Sequence, residues 1–306
     1  MDKKIIAVVN PAAAGGKAVK IWPKKNEYFK QEFSNFEEIY TREPGEAVKF
    51  AQKAVEENYD YIMSVGGDGT VNEIINGILS AEKKELRTKL IIYPLGTGSD
   101  LSRTLNLPTN IEDFIDLVKQ EKSRSVRVVE ADFFNYQQQK TKRYFLNIAD
   151  CGMGAEVAKK LNESKKTIDG SLSYLIKIFQ TLFNYQNKEV KVEADNKLLY
   201  QGKIRSVIIA QGNYFGGGIK IAPEAGLFSD KLNLVLLKDF SKLGIILNLI
   251  KAYKGKHLSH SLVESHQVEK IKISSQERVE LELDGESVGI CDSSFKISEK
   301  EIEILI

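Results

Sequence analysis

The fold is decided by the stretch Tyr61-Ile62-Met63-Ser64-Val65-Gly66-Gly67-Asp68-Gly69-Thr70-Val71-Asn72-Glu73-Ile74-Ile75. An apolar run leads into a glycine-rich turn, and the apolar positions 71, 74, 75, 78 and 79 that follow have helical spacing. The stretch therefore predicts a strand, a tight turn and a helix. This geometry points backbone N–H groups and the positive end of a helix at one place, which suits phosphate.

The carboxylate of Asp68 is unusual inside a phosphate-binding loop, because it would repel phosphate directly. It could instead hold Mg²⁺ or a water bound to Mg²⁺. The alternative is a tight turn in which Asp68 only caps the helix. Three further loops in the first half of the chain favour the first interpretation.

Strands and helices alternate through the first 125 residues, which predicts a parallel sheet with helices on both faces. Ligands of such sheets bind beyond the carboxyl ends of the strands. Four loops lie at predicted strand ends, so one cleft could collect them all. They span residues 10–17, 41–45, 66–72 and 94–100.

The pattern of apolar and polar residues changes after about residue 123, where short runs of alternating polarity predict many strands. Helix-like stretches are few, chiefly 171–185 and 241–254. We predict a three-layer α/β domain with a parallel sheet over 1–125. A mainly antiparallel β-sandwich domain follows over 126–306, and its last residues could return to the first domain.

Composition excludes several classes of protein. A net charge of +2, from 44 basic and 42 acidic residues, gives no reason to expect nucleic-acid binding. Two cysteines are too few for a disulfide framework and fit a reducing cytosol. The apolar run at the N-terminus is too short for a signal peptide, and no apolar window is long enough to span a bilayer. We expect a cytoplasmic protein that meets membrane only at its surface.

The loops together resemble those of the diacylglycerol kinase catalytic family, which includes soluble bacterial lipid kinases and the sphingosine and ceramide kinases. Gly-Gly-Asp-Gly-Thr alone is shared with NAD kinases and resembles the phosphofructokinase loop, but the set of loops is more specific. The matching segments, in family order, are Asn10-Pro11 with Gly15-Gly16, Thr41, Gly66 to Thr70 with Asn72-Glu73, and Pro94 to Asp100.

The resemblance implies Mg²⁺-dependent transfer of the γ-phosphoryl group of ATP to the hydroxyl of a diacylglycerol-like lipid. It also implies an active cleft between two domains and a part in phospholipid biosynthesis at the inner face of the membrane. Asp68 would anchor the Mg²⁺ network. The residues implied in nucleotide binding are Asn10, Pro11, Gly15, Gly16, Thr41, Gly66, Gly67, Asp68, Gly69, Thr70, Val71, Asn72 and Thr97.

Three segments of the second half are also similar to the lipid kinase pattern: Tyr144 to Ala149, Asn213 to Pro223, and Leu281 to Glu286. The resemblance gives Glu286 the role of general base for the lipid hydroxyl. This fits phosphoryl transfer, which needs a positioned acceptor oxygen more than a strong base. Asp284-Gly285 is also typical of a hairpin turn, and a turn could deliver Glu286 to the site.

The chain departs from the family pattern at two metal positions. The catalytic metal network usually includes an Asp after the domain crossover, where this chain has Glu130, with Asp132 as the other candidate. In bacterial members of the family a structural Mg²⁺ usually binds the Asp of an Asp-Gly-x-Leu segment, whereas this chain has Asp230 without the Gly. Asp230 with the carbonyl groups of Leu227 and Lys231 is the predicted site, and a surface turn without an ion is the alternative.

Two apolar helical stretches could bring the protein to a lipid surface. They are Leu172 to Tyr185 and Leu243 to Tyr253, and the second is flanked by Lys251, Lys254 and Lys256. An apolar face with a basic flank is how a surface helix meets anionic lipid. The alternative is that both helices only cover the core of the β-domain. Pairing with a second copy of the chain is left open.

Three other functions remain open at this stage. An NAD kinase shares the central loop, but the chain has no Gly-Ser-Thr-Ala-Tyr-type segment in its second half. A non-catalytic nucleotide- or lipid-binding relative would explain the departures at Glu130 and at 227–232. A sphingoid or undecaprenol kinase would use the same machinery on another acceptor.

Overall fold

The computed structural model describes residues 3–83, 87–96, 98–164, 180, 181 and 183–306. The chain forms two compact units. Unit 1 comprises Met1–Val128 and Ser298–Ile306, and unit 2 comprises Val129–Ile297. Strands β5 (Ser123–Phe134) and β15 (Glu286–Leu305) each contribute residues to both units.

Unit 1 also contains strands β1 (Ile5–Val9), β2 (Phe36–Tyr40), β3 (Tyr61–Gly66) and β4 (Lys89–Pro94). Together with β15 they form a parallel sheet with the order β2-β1-β3-β4-β15. Its helices are α1 (Ala18–Glu32), α2 (Glu46–Glu56), α3 (Asp68–Ser80), α4 (Asp100–Thr104) and α5 (Ile111–Gln120), with a short 3₁₀ turn at Ala13–Gly16.

The two faces of this sheet are covered by different helices. Trp22 and Phe29 of α1 and Phe114 of α5 form one aromatic core with strand residues such as Met63 and Tyr93. Residues at alternate strand positions point to the opposite face because side chains alternate along a strand. There α2 and α3 pack together and contact β1 and β3. The predicted three-layer α/β fold is confirmed.

Unit 2 is built from antiparallel strands in two connected sheets. Besides β5 and β15, its strands are β6 (Lys140–Phe145), β7 (Ile148–Gly152), β8 (Lys188–Ala194), β9 (Lys197–Ile204), β10 (Ser206–Ala210), β11 (Leu232–Leu237), β12 (Val263–Val268), β13 (Lys270–Ser274) and β14 (Glu280–Leu283). The first sheet has the strand order β12-β11-β10-β7-β14-β15. In the second sheet β13 pairs with both β15 and β8, and β9 pairs with β8.

A hydrophobic core includes Phe145, Ile271 and Phe295, which come from strands of both sheets. Helix α6 (Met153–Ser164) packs on β7 and β14. The predicted helix at 241–254 is confirmed as α7 (Lys242–Tyr253). A second 3₁₀ turn lies at His257–Ser259.

Several elements of unit 2 differ from the sequence prediction, and one helix and one strand were missed entirely. Helix α6 was not predicted, since it opens on Gly152-Met153-Gly154 and carries a polar second half. Strand β12 was also not predicted, because the residues between Val263 and Val268 are polar. The predicted helix at 171–185 falls largely outside the described residues. Within the described part of the chain, no helix has both the length and the apolar character needed to cross a bilayer.

Candidate functional site

Asn10 ties the first loop of unit 1 to the start of α3. Its side-chain amide donates to Thr70 Oγ1 at 3.1 Å, and its Oδ1 accepts from the N–H of Ala12 at 3.0 Å. Gly15 and Gly16 both have positive φ angles, which glycine adopts without strain. The loops at 10–16 and 66–70 are therefore held together at the carboxyl ends of β1 and β3.

Gly96 allows the loops after β3 and β4 to approach closely, and Gly66 makes room for Thr70. A Cβ on Gly66 would lie 2.4 Å from Thr70 Oγ1, and a Cβ on Gly96 would lie 2.5 Å from the Cα of Gly67. The N–H of Leu95 also donates to the carbonyl of Gly66 at 3.0 Å. Only glycine fits at positions 66 and 96 without moving its neighbours, so Gly96 sets the spacing of the two loops and Gly66 leaves room for the Thr70 side chain.

Asp68 is the first residue of α3, and its carboxylate reaches another helix. Oδ2 accepts from the N–H of Asp100 at 2.9 Å, and Oδ1 accepts from the N–H of Leu101 at 3.2 Å. Asp68 thus caps α4, whereas Gly67 holds the N-cap position of α3 without a side-chain bond. Carboxylate oxygens are also the ligands that Mg²⁺ prefers, so Asp68 is chemically suited to hold the ion.

The other predicted nucleotide residues lie at the same strand ends. Thr41 is buried, and its N–H donates to the carbonyl of Val9 at 2.9 Å. Glu73, one turn into α3, accepts from the N–H groups of Gly45 and Ala47 at the start of α2. Val71 and Asn72 are buried within α3, and Gly69 lies in its first turn. Pro11 begins the loop after β1, and Thr97 lies outside the described residues.

Glu130 belongs to unit 2, where it is buried and paired with two lysines. Its Oε1 lies 2.9 Å from Nζ of Lys142 and 3.3 Å from Nζ of Lys296. Burial alone would raise the pKa of Glu130, but the two ammonium groups outweigh it and hold that pKa below 4.5. The side chain of Asp132 is half exposed, and its Oδ1 lies 4.0 Å from Nζ of Lys142. The ammonium groups of Lys142 and Lys296 would compete with a metal ion for Glu130. The place of Glu130 or Asp132 in a metal network therefore stays a prediction.

The predicted structural metal position is an exposed turn. Asp230 and Lys231 are both exposed, and the carbonyl of Leu227 accepts from the Gln211 side chain at 2.8 Å. No group of three or more His, Cys, Asp or Glu side chains in the described ranges is arranged to hold a metal ion. A carbonyl has a second acceptor site and Asp230 is an oxygen ligand, so the donor types fit Mg²⁺.

The predicted hairpin turn at Asp284-Gly285 is confirmed. Leu283 pairs with Glu286 across it, and Asp284 and Gly285 have φ angles of 49° and 84°. The Asp284 carboxylate accepts from the backbone N–H groups of Leu146, Asn147 and Ile148 at 2.9–3.0 Å. Because Asp284 is buried, these bonds fix the hairpin and place Glu286, half-buried, as the first residue of β15.

The three family-like segments of unit 2 converge on this hairpin. Asn147 lies within the segment that Asp284 binds, and its side-chain amide donates to the carbonyl of Tyr214 at 2.9 Å. The carbonyl of Asn147 accepts from the N–H groups of Gln211 and Gly212. The backbone segment that anchors the hairpin is therefore itself bonded to residues 211–214.

Sequence reasoning did not find two buried acids beside the hairpin, Asp150 and Glu282. Asp150 is fully buried on β7, and burial raises its pKa to about 7. Burial and the nearby charge of Asp150 raise the pKa of Glu282 well above its usual range. The available signal was an acid beside apolar residues in each of two stretches, Ile148-Ala149-Asp150-Cys151 and Leu281-Glu282-Leu283.

Comparisons with known proteins match the two halves of the chain to two different family models. Residues 4–131 match the family model described as the diacylglycerol kinase catalytic domain. Residues 147–306 match the family model described as the YegS C-terminal NAD kinase beta sandwich-like domain. The likeness to NAD kinase that this description states concerns the sandwich domain.

Curated relatives and solved structures extend over nearly the whole chain. A diacylglycerol kinase of Staphylococcus carnosus is 30% identical over 99% of this chain and 95% of its own. One of Staphylococcus saprophyticus is 32% identical over 86% of this chain and 82% of its own. A crystal structure of a diacylglycerol kinase from Bacillus anthracis strain Sterne covers 99% of this chain and 96% of its own, with 26% identity and a TM-score of 0.73.

The two-unit fold and these matches together support a kinase of the lipid kinase class. The extent and identity of the matches then fix the family. The chain belongs to the diacylglycerol kinase catalytic family of bacterial lipid kinases.

Proposed function

We propose that the protein transfers the γ-phosphoryl group of ATP to the hydroxyl of a diacylglycerol-like lipid, with Mg²⁺, at a membrane surface. The observation that carries the proposal is the hairpin that presents Glu286, anchored through Asp284 to three backbone N–H groups. An acceptor-orienting carboxylate needs such a rigid base, since phosphoryl transfer depends mainly on positioning and electrostatics.

The nucleotide is assigned to the loops of unit 1. The glycines at 15, 16, 66 and 67 leave room for phosphate, and α3 begins at the same place with its positive end. Mg²⁺ supplies charge neutralisation to the transferring phosphoryl group when it is bound. Asp68 would hold it, with Glu130 or Asp132 as the further carboxylate, and Asp230 with two carbonyl groups would hold a structural ion.

The acceptor is assigned to unit 2. The Glu286 carboxylate would accept a hydrogen bond from the lipid hydroxyl, orient its oxygen and take its proton as the phosphoryl group arrives. Diacylglycerol is the proposed acceptor because the curated relatives are named diacylglycerol kinase. A sphingoid base or undecaprenol would need the same chemistry, and the assay below separates them.

We also propose that α7 contacts anionic lipid from the cytoplasmic side. Leu243, Leu247 and Ile250 follow one helical stripe and are 63–70% exposed, whereas Ala252 on the other side is buried. No acidic residue occurs between Asp239 and Glu264, and Lys242, Lys251, Lys254 and Lys256 in that interval are exposed. An exposed apolar stripe within a purely basic segment complements an anionic bilayer surface.

Vesicle sedimentation tests this contact. Replacing Lys251, Lys254 and Lys256 by Gln should reduce binding to vesicles that contain phosphatidylglycerol, because each lysine contributes about 1 kcal/mol near such a surface. Replacing Leu243, Leu247 and Ile250 by Asn should reduce it further. Gln at the exposed Lys197, Lys203 and Lys270 is the matched control. Unchanged binding in both sets would refute the contact, and a change in oligomeric state instead would assign the stripe to a second copy.

The kinase activity is tested with ATP radiolabelled at its γ-phosphate. The purified protein is offered diacylglycerol, sphingosine, undecaprenol and NAD in separate mixed-micelle or aqueous reactions, with and without Mg²⁺. The proposal predicts labelled phosphatidic acid that depends on Mg²⁺. Labelled NADP would support the NAD kinase alternative, and ATP binding with no labelled product would support a non-catalytic relative.

A further inference from the structure

Two acids face each other beneath the hairpin that carries Glu286. Asp150 on β7 and Glu282 on β14 are direct partners across these antiparallel strands. Their neighbours Cys151 and Leu281 point into the hydrophobic core between the sheets, so the acids lie on the opposite face. Both are nevertheless buried, with 0% and 4% of their surface exposed, because α6 packs over β7 and β14.

The Asp150 carboxyl group is tightly enclosed. Neither of its oxygens has a hydrogen-bond partner among the residues that the structure describes. The Ser206 hydroxyl and the N–H groups of Gly154 and Ala155 are nearby, and each favours the ionised form. A Cβ on Gly154 would lie 2.7 Å from Oδ2 of Asp150, so the start of α6 rests directly on the carboxyl group.

Glu282 connects this enclosed acid to the hairpin. Its Oε2 accepts a hydrogen bond from the N–H of Gly285 at 2.5 Å. Gly285 immediately precedes Glu286, and the other turn residue, Asp284, is held by the backbone at 146–148. The hairpin is thus fixed on one side through Asp284 and on the other through Glu282.

We propose that Glu282 is a positioning residue for Glu286, and that the hairpin keeps its form only while Asp150 and Glu282 carry at least one proton between them. Two charges at directly opposed buried positions would repel each other and displace Glu282 from Gly285. Glu286 would then lose its place. The catalytic part of this inference rests on the proposed function, whereas the structural part does not.

The surroundings offer the pair little neutralising charge. Burial raises the pKa of both acids, to about 7 for Asp150. The charged and titratable side chains around the pair are Cys151 on β7, Glu280 on β14, Asp284 and Glu286 on the hairpin, Glu156 and Lys159 on α6, and Tyr185 and Arg205 beside β10. Lys159 is paired with Glu280, and Arg205 lies over the Tyr185 ring.

The pH profile of kcat is the first test, with wild type, Asp150→Asn, Glu282→Gln and the exposed control Glu269→Gln compared. Wild type and control should lose kcat on the alkaline side. Asp150→Asn should move that loss upward by about one pH unit or more, because a single remaining acid meets no opposing charge. Glu282→Leu, which removes the acceptor of the Gly285 N–H, should lower kcat at every pH while KM for ATP is retained.

Hydrogen exchange of the Gly285 amide is the second test and needs no activity. Its protection factor should fall at alkaline pH in wild type but persist in Asp150→Asn and Glu282→Gln. If the protection factors and pH profiles of both variants coincide with those of wild type, the proposal is overturned. If the protein phosphorylates no acceptor while the Gly285 amide behaves as expected, the proposed function fails and the shared-proton pair stands.

Discussion

The carboxylate of Asp68 binds the backbone of another helix: its Oδ2 accepts from the N–H of Asp100 at 2.9 Å, across 32 positions of sequence. The residue that we assign to Mg²⁺ therefore also caps α4. A cap of this kind contributes about 1 kcal/mol to stability. Asp68→Ala thus changes more than the metal chemistry.

We expect Asp68→Ala to abolish phosphoryl transfer and to lower the free energy of unfolding by about 1 kcal/mol. Asp68→Asn keeps an acceptor for the N–H groups of α4, so it should retain most of the stability but lose at least about a hundredfold in kcat. Urea unfolding and the lipid kinase assay measure the two effects. Asp116→Asn, at an exposed position of α5, is the control. Full activity in Asp68→Asn would remove Asp68 from the mechanism.

The spacing of the two glycine-rich loops gives a second prediction. Gly96→Ala places a Cβ 2.5 Å from the Cα of Gly67, so backbone must move, at a cost of about 1–3 kcal/mol. The affinity of the Gly96→Ala variant for ATP should fall as a result. Gly67→Ala is the matched control for stability, because its Cβ would meet the same loop at an ordinary 3.7 Å. Urea unfolding compares the two variants. Isothermal titration compares the ATP affinity of Gly96→Ala with that of wild type, and an unchanged affinity would contradict the proposed role of the loops.

The anchor of the hairpin gives a third prediction. Asp284→Asn keeps the shape and tolerates the positive φ, but it weakens charge-assisted bonds to buried N–H groups. We expect a loss of about 2 kcal/mol in urea unfolding. Asp195 offers a close match, since it has the same φ of 49° and accepts from two N–H groups but is exposed. Asp195→Asn should cost less than about 1 kcal/mol; a reversed order would refute the anchor.

The buried Asp150 gives a prediction for stability against pH. The ordinary pKa of an aspartate side chain is 3.8, whereas the pKa of Asp150 is about 7 in the folded chain, so the folded state binds the proton more tightly. The free energy of unfolding therefore falls as pH rises from about 4 to 7, by about 4 kcal/mol in all. Above pH 7 it falls no further on account of Asp150. Asp150→Asn should therefore be more stable than wild type at pH 8 and similar at pH 4. Thermal melting across this range measures the difference.

Sequence reasoning predicts unit 1 well, because β1, β3 and β4 are largely apolar runs and the loops that follow them contain glycine. The helix after Gly66-Gly67 follows directly from the positions of Val71, Ile74 and Ile75. In unit 2 the pattern predicts the sandwich and the hairpin at Asp284-Gly285. It does not predict β12, whose interior is polar although the strand pairs fully with β11.

The candidate site was only partly predictable for a physical reason. A phosphate loop is a local motif, so its residues can be identified from the stretch that contains them. The bonds from Asp68 to α4 and from Asp284 to residues 146–148 join parts of the chain far apart in sequence. The pairing of Asp150 with Glu282 depends on strand register, which the pattern of residues in either strand does not specify.

The central claim is that Glu286 serves the transfer of a phosphoryl group from ATP to a lipid hydroxyl. The most direct measurement is the rate of label transfer from γ-radiolabelled ATP to diacylglycerol by wild type and by Glu286→Gln. The account predicts Mg²⁺-dependent labelling by wild type and a loss of at least about a hundredfold in kcat in the variant, with ATP affinity kept. Equal rates in the two proteins, or no labelled lipid from folded, ATP-binding wild type, would contradict it.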